Sequence, residues 1–319
     1  MFPFINIFGK DISSYSVCAI IGGVVMIIFC SLMCRFPRKR SGVKIDTQDI
    51  VIMLLFCTLG LIIGAKLLFI ITSVDFDYFE EISFWENVWL WIQLIVRGGL
   101  VFYGGLIGAV LGGLFYVLHY KTAVSEMLDL VFAGIPLFHA FGRLGCFLGG
   151  CCYGMEYNGI FAVVYPQKNL GGAPVGVELF PVQVAESVLN LILWAVLFAV
   201  YRKTSRRWLV SGLYLTCYAV IRFVLEYFRG DIIRGNVGTL SSSQFISIFV
   251  LAVGIFLLIR PKFLDDFGAV NDAAYEKQLS ALNIRREEYK KAKKARREYR
   301  KQYIKEYKEY LKAKKVGKN

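Results

Sequence analysis

A chain of 319 residues that is 56% hydrophobic and 15% aromatic, with a mean hydropathy of +0.54, is not an ordinary soluble domain; it reads as a polytopic membrane protein. The net charge of +13 would suit a nucleic-acid binder, but residues 285–319 hold 16 Lys/Arg against 5 Glu, leaving 21 Lys/Arg and 19 Asp/Glu elsewhere. The charge belongs to an appendage, so composition implies no nucleic-acid partner for the fold.

Tyr15 to Leu32 is a first apolar span, without the basic start and small-residue cleavage site of a signal peptide. Arg35, Arg38, Lys39, Arg40 and Lys44 follow, and the positive-inside rule puts that loop in the cytoplasm and the N-terminus outside. Val51 to Ile71 returns outward, carrying Lys66, to an acidic loop with Asp75, Asp77, Glu80 and Glu81. Phe84 to Val96, with Trp85, Trp89 and Trp91, is too short to cross and come back and reads as an interfacial helix. Beyond Arg97, Gly99 to Leu118 is the third span and contains Tyr103-Gly104-Gly105. Met127 to about Cys146 is the fourth, and a polar external loop runs from Tyr153 to Glu178.

Pro181 to Val200 is the fifth span, with Gln183, Glu186 and Asn190 on one helical stripe. Leu209 to Phe228 is the sixth, containing Arg222 and Glu226, before an outer loop with Arg229, Asp231 and Arg234. Phe245 to Ile259 is the seventh and stops at Arg260-Pro261-Lys262. Alternating basic loops therefore predict an all-α fold of about seven transmembrane helices, N-terminus outside and C-terminus cytoplasmic. The predicted division is a transmembrane domain, residues 1–262, and a basic, partly helical tail, residues 263–319. Tyr289, Tyr299, Tyr303, Tyr307 and Tyr310 recur near helical spacing in that tail. One reading lays it on the anionic inner leaflet; the other leaves it solvated.

The stretch from His139 to Gly154 sets Arg143, Cys146, Cys151, Cys152 and five glycines at the end of an apolar run. Lys66, Arg97, Arg143, Arg222 and Arg229 all fall toward the outer half of the membrane in this topology. An intramembrane cation is a functional hypothesis by default, and an anionic lipid headgroup is the obvious ligand. The competing reading pairs two of the cations with Glu186 and Glu226 and leaves the others without carboxylates. The spacing C-x4-C-C lacks the C-x2-C of zinc sites, so no metal is expected. Small apolar packing, a disulfide and a thiol activated by Arg143 remain open for the cysteines, as do base and packing roles for His139.

From about Gly64 to Gly254 the chain resembles the bacterial prolipoprotein diacylglyceryl transferases. The resemblance rests on Gly142-Arg143-Leu144-Gly145-x-Phe147-x-x-Gly150, Tyr103-Gly-Gly-Leu-Ile-Gly108 and Pro181-x-Gln183-x-x-Glu186. Ser211-Gly-Leu-Tyr-Leu-x-x-Tyr218, Arg222-Phe-Val-Leu-Glu226-Tyr-Phe-Arg229 and Gln244-x-x-Ser247 extend it. It implies transfer of diacylglyceryl from phosphatidylglycerol to the lipobox cysteine of a preprolipoprotein in the bacterial cytoplasmic membrane. Glycerol phosphate would leave, and no cofactor or metal is implied.

Carried over residue by residue, the resemblance gives catalysis to Arg143, Arg222 and Tyr103. Lipid binding falls to Arg143, Arg229, Arg97, Lys66, Gln183, Glu186, Glu226, Gly104 and Gly154. This chain departs from the family's usual residues at Tyr103 (histidine), Cys146 (asparagine), Cys151 (glutamate), Lys66 (arginine) and Ile21 (tyrosine). The general base is thereby in question. A non-catalytic lipid-binding protein, and a transferase using the same pocket for another acceptor, are the alternatives.

Overall fold

Long apolar stretches have one way to satisfy every backbone polar group away from water, which is to form helices. The computed structural model describes residues 3–7, 9–36, 45–73, 83–165, 171–231, 236–259 and 262–316. Among them are seven helices long and apolar enough to cross a membrane, as the sequence led us to expect. The loop charges expected at Arg38, Lys39, Arg40, Lys44, Asp75, Asp77, Glu80, Glu81, Arg234 and Arg260 lie outside the described residues.

A hairpin of β1 (Phe4–Ile7) and β2 (Lys10–Ser13) leads into α1 (Ser14–Arg35). Helix α2 (Thr47–Ser73) is followed by α3 (Phe84–Arg97), whose first turn is closed by Ser83 N donating to Glu86 Oε2 at 3.0 Å. Trp85 and Trp89 on α3 are 77% and 62% exposed, an aromatic face suited to the membrane–water interface. Next come α4 (Phe102–Tyr120), α5 (Val124–Gly149), and the short antiparallel pair β3 (Val163–Val164) and β4 (Glu178–Leu179). Helix α6 (Val182–Lys203) precedes α7 (Leu209–Leu225), which tightens into a 3-10 turn over Glu226–Phe228. A last hairpin, β5 (Asn236–Val237) and β6 (Leu240–Ser241), introduces α8 (Ser242–Ile259), and α9 (Lys262–Val316) ends the described chain.

Helix α2 packs mainly on α4, α1 on α5, α7 on α8 and α5 on α6. The α2–α4 contact is a glycine seam. A Cβ on Gly60 or Gly64 would fall on the carbonyl of Gly108 or Gly104, and the reverse holds across the seam. Such small-residue spacing lets backbones touch where no water-driven force pulls helices together. In the core, Met26 and Phe29 of α1 meet Met53 of α2, Leu130 of α5 and Leu197 of α6. At the end of the bundle away from Arg143, buried Asp129 on α5 accepts from the Ser211 amide (2.9 Å) and hydroxyl (2.6 Å) on α7.

The chain forms two compact units, Met1–Asp272 and Ala273–Asn319. Within the first, Arg207 Nε pairs with Asp272 at 2.7 Å and Trp208 Nε1 donates to the Leu264 carbonyl at 3.2 Å. The composition changes near residue 263, whereas the packing boundary lies at Asp272 because the opening turns of α9 are held by these contacts. The second unit is the rest of α9, with Tyr289, Tyr299 and Tyr303 exposed among lysines and arginines. The side chains of Tyr307 and Tyr310 lie outside the described residues.

Candidate functional site

The glycine-rich end of α5 has three separate jobs. Gly145 lets α5 meet the start of α1, since a Cβ there would stand 3.1 Å from Tyr15 Cα and 3.0 Å from Cys18 Cβ. Gly150, with φ +73°, ends the helix in the left-handed conformation that glycine adopts without penalty. The chain then folds back, the Cys151 amide bonding the Cys146 carbonyl at 3.1 Å. Gly154, expected at the lipid headgroup, forms an antiparallel bridge with Arg229, and its Cα face is closed by the Phe180 and Phe228 carbonyls. The Met155 amide bonds Phe228 and the Phe180 amide bonds Met155, both at 2.9 Å. Gly154 thereby fixes where Arg229 leaves α7.

Three arginines converge beside this turn. Arg143 Nε stands 3.0 Å from Glu186 Oε1, joining the end of α5 to the start of α6. Arg222 Nη2 lies 2.6 Å from Glu226 Oε2, one turn on, and donates to Ser243 Oγ of α8 at 2.8 Å. Arg229 holds Asp231 in a two-pronged fork, 2.8 and 2.6 Å, with Glu226 3.9 Å away. Burial works against the charge of Arg229, but the Asp231 carboxylate and the neighbouring Cys152 together outweigh it, so the guanidinium stays protonated.

The expectation of several cations without carboxylates is corrected here. Each described arginine of the group has an acidic partner, and the partner not foreseen is Asp231, two residues from Arg229 in a loop. Among the described residues, buried Arg222 Nη1 has no hydrogen-bond partner, and neither do Glu186 Oε1 and Glu226 Oε2 beside it. A buried guanidinium donor without an acceptor is costly, and an anionic oxygen would satisfy it.

Other expected site residues divide between this network and its supports. Gln183, 1% exposed, donates to the Cys151 carbonyl at 2.9 Å and to the Tyr165 hydroxyl at 3.1 Å, so it secures the cysteine turn. His139 Nδ1 lies 3.3 Å from the Tyr214 hydroxyl, with its ring 4.8 Å from that of Tyr218. Tyr214 and Tyr218 stack on each other, ring centroids 5.6 Å apart, beside His139. Lys66 donates to the Gly98 carbonyl, and Tyr103 is 40% exposed on α4. Both ride on the α2–α4 pair, and no described ion pair joins them to the arginines on α5–α7. Gly104 is part of the glycine seam, its Cα face filled by Gly64. Arg97 closes α3, and its side chain lies outside the described residues.

The Sγ atoms of Cys146, Cys151 and Cys152 lie within 4.8 Å of one another, and all three are thiols. Cys152 takes a left-handed φ of +58°, which turns its side chain back to the other two. The Cys151 thiol is pushed up to about 11: its hydrogen bond with Cys146 lowers it, but that with Cys152 and burial raise it further. A self-activated catalytic thiol is the reverse of this environment.

The sequence profile of the prolipoprotein diacylglyceryl transferase family matches residues 3–260. A phosphatidylglycerol--prolipoprotein diacylglyceryl transferase 2 of Clostridium perfringens is 35% identical over 255 residues, 79% of this chain and 92% of its own length. Its counterpart from Clostridium tetani is 33% identical over 258 residues, covering 81% of this chain and 96% of the relative. One from Acinetobacter baumannii is 29% identical over 229 residues, 69% of this chain and 79% of its own.

Proposed function

The chain belongs to the prolipoprotein diacylglyceryl transferase family, and we propose that it moves a diacylglyceryl group from phosphatidylglycerol to the cysteine thiol of a prolipoprotein. The observation that carries the reading is the buried, unmatched Arg222 Nη1 within a group of three arginines. In the transfer, the acceptor thiolate attacks the glycerol carbon that bears the phosphate. The sulfur–carbon bond forms, the carbon–oxygen bond breaks, and its electron pair stays on the phosphate of the departing glycerol phosphate. Charge therefore grows on the phosphate oxygens as the bond breaks.

Arg222 and Arg143, held by Glu226 and Glu186, are proposed to stabilise that charge. Arg229, fixed by Asp231 and the Gly154 bridge, is proposed to hold the headgroup, with Arg97 and Lys66 as peripheral cations. Tyr103 is proposed as the proton acceptor at the position of the family's histidine. Gln183 supports the turn rather than touching lipid in this reading, and Gly104 supports the α2–α4 contact.

The reading also sets the arginine end of the bundle at the outer leaflet of the bacterial cytoplasmic membrane. Support comes from the basic loops after α1 and α6, which put the opposite end in the cytoplasm. In the same reading the tail, residues 263–319, is an accessory to a transferase domain, residues 1–262, and rests on anionic inner-leaflet lipids, each basic residue near the surface contributing about 1 kcal/mol. Incubating the purified protein with phosphatidylglycerol and a lipobox peptide should add one diacylglyceryl mass to the peptide. A peptide left unmodified while the lipid stays bound would overturn the transfer and leave a lipid-binding protein.

A further inference from the structure

Outside the arginine network, the densest group of chemically reactive side chains is the thiol cluster of Cys146, Cys151 and Cys152. We propose that these three cysteines bind one zinc ion through their thiolates, and that its open fourth position takes up the acceptor thiol. The inference rests on the transfer reaction proposed above, and it supplies the proton-removing device that reaction needs.

With zinc–sulfur bonds of about 2.3 Å, tetrahedral sulfurs stand roughly 3.8 Å apart. The three Sγ atoms already lie within 4.8 Å of one another, so small side-chain rotations bring them to that spacing. No described histidine or carboxylate belongs to the group, which leaves a sulfur-only donor set suited to a soft or borderline metal. The backbone is arranged for this: the left-handed turns at Gly150 and Cys152 bring residues five and six positions after Cys146 back against it. Gln183, buried on α6, pins the Cys151 carbonyl and so holds the turn from behind.

Three protein ligands with a vacant fourth position is the arrangement of catalytic zinc, whereas structural zinc is closed by four. Here the vacancy has a natural occupant. The acceptor is itself a thiol, and a thiol that coordinates zinc gives up its proton outright. The proton passes to water at the outer face, the zinc-held thiolate attacks the glycerol carbon, and the leaving phosphate keeps the electron pair of the broken carbon–oxygen bond. The resulting thioether is a poor zinc ligand and departs, so the metal is not consumed. Two cations stand beside the cluster, Arg143 near Cys151 and Arg229 near Cys152, and their field favours thiolates there. Those are also two of the arginines proposed to face the phosphate, which brings nucleophile and leaving group to the same corner. Tyr103, on the α2–α4 pair, is then not required as the base.

The test is made on the full-length protein in detergent, prepared under reductant and loaded with zinc(II) alone. One zinc per chain is expected, retained in Cys18→Ser and Cys217→Ser and lost in the Cys146→Ser/Cys151→Ser/Cys152→Ser variant. Zinc X-ray absorption should show three sulfurs and one lighter atom at rest, and four sulfurs with a lipobox peptide added. Chelation should slow transfer at least about 100-fold, the scale of a lost proton-transfer catalyst, and zinc should restore it. Full-rate transfer by the metal-free protein, or zinc binding unchanged in the triple variant, overturns the proposal and leaves the transferase reading intact. If no metal state transfers, that reading fails on its own; a fourth sulfur on adding peptide still supports the zinc site, and three sulfurs reject it.

Discussion

Arg143 has two separable roles, and removing it together with Glu186 tells them apart. The pair is 3.0 Å apart, with Glu186 only 1% exposed. At an effective dielectric near 20 the attraction is on the order of 5 kcal/mol, so Arg143→Ala strands a buried carboxylate and should cost about 3–5 kcal/mol of stability. The same substitution removes a cation from the phosphate, worth about 10²–10³ in kcat by analogy with a lost oxyanion donor. Adding Glu186→Gln removes the stranded charge and should return most of the stability. It does not return the cation. The expectation for Arg143→Ala/Glu186→Gln is therefore thermal stability within about 1–2 kcal/mol of the parent, with transfer still depressed about 10²–10³-fold. Unfolding in detergent and initial rates by peptide mass spectrometry, measured on both single variants and the double, complete the cycle. Recovery of transfer to within about tenfold of the parent would show that Arg143 acts only by neutralising Glu186, and the electrostatic mechanism would fall.

Arg229→Lys loses the two-pronged contact with Asp231, since an ammonium is a point charge; kcat/KM for phosphatidylglycerol should fall about tenfold, mostly through KM. An unchanged KM in steady-state kinetics would remove Arg229 from the headgroup. Gly108→Ala drives a methyl into the Gly60 carbonyl across the α2–α4 seam, and about 1–3 kcal/mol of stability should be lost; a thermal unfolding midpoint equal to the parent's would mean the seam is not close-packed. A chain ended at Asp272 should keep its transfer rate and lose its affinity for vesicles rich in anionic lipid, measured by co-sedimentation. Equal sedimentation with and without the tail would favour the solvated reading.

The seven spans were legible in the sequence because hydropathy records burial in lipid one helix at a time, without reference to neighbours. The positions of Arg143, Arg222 and Glu186 along their spans can be read in the same way. What the sequence does not record is rotation about the helix axis and the pairing of spans. Glu186 opens α6 and Arg143 closes α5, so antiparallel packing brings them level, yet nothing local marks them as partners. Asp231 was visible two residues from Arg229, but a loop acid carries no periodicity to say that it turns inward. Lys66 shows the converse: it also lies near a span end, yet no described ion pair joins it to the arginines.

The cysteines carry this point furthest. Zinc motifs are recognised by C-x2-C because two residues close a tight turn around the ion, and C-x4-C-C fails that rule when read along a helix. In this chain the helix stops between the cysteines. Gly150 ends α5 in a left-handed turn, and Cys152, unusually for a residue with a Cβ, takes the same sign of φ. The chain therefore returns across its own last turn, and sulfurs five and six residues from Cys146 arrive beside it. Gly150 is then one cause of the thiol cluster, and the left-handed Cys152 the other.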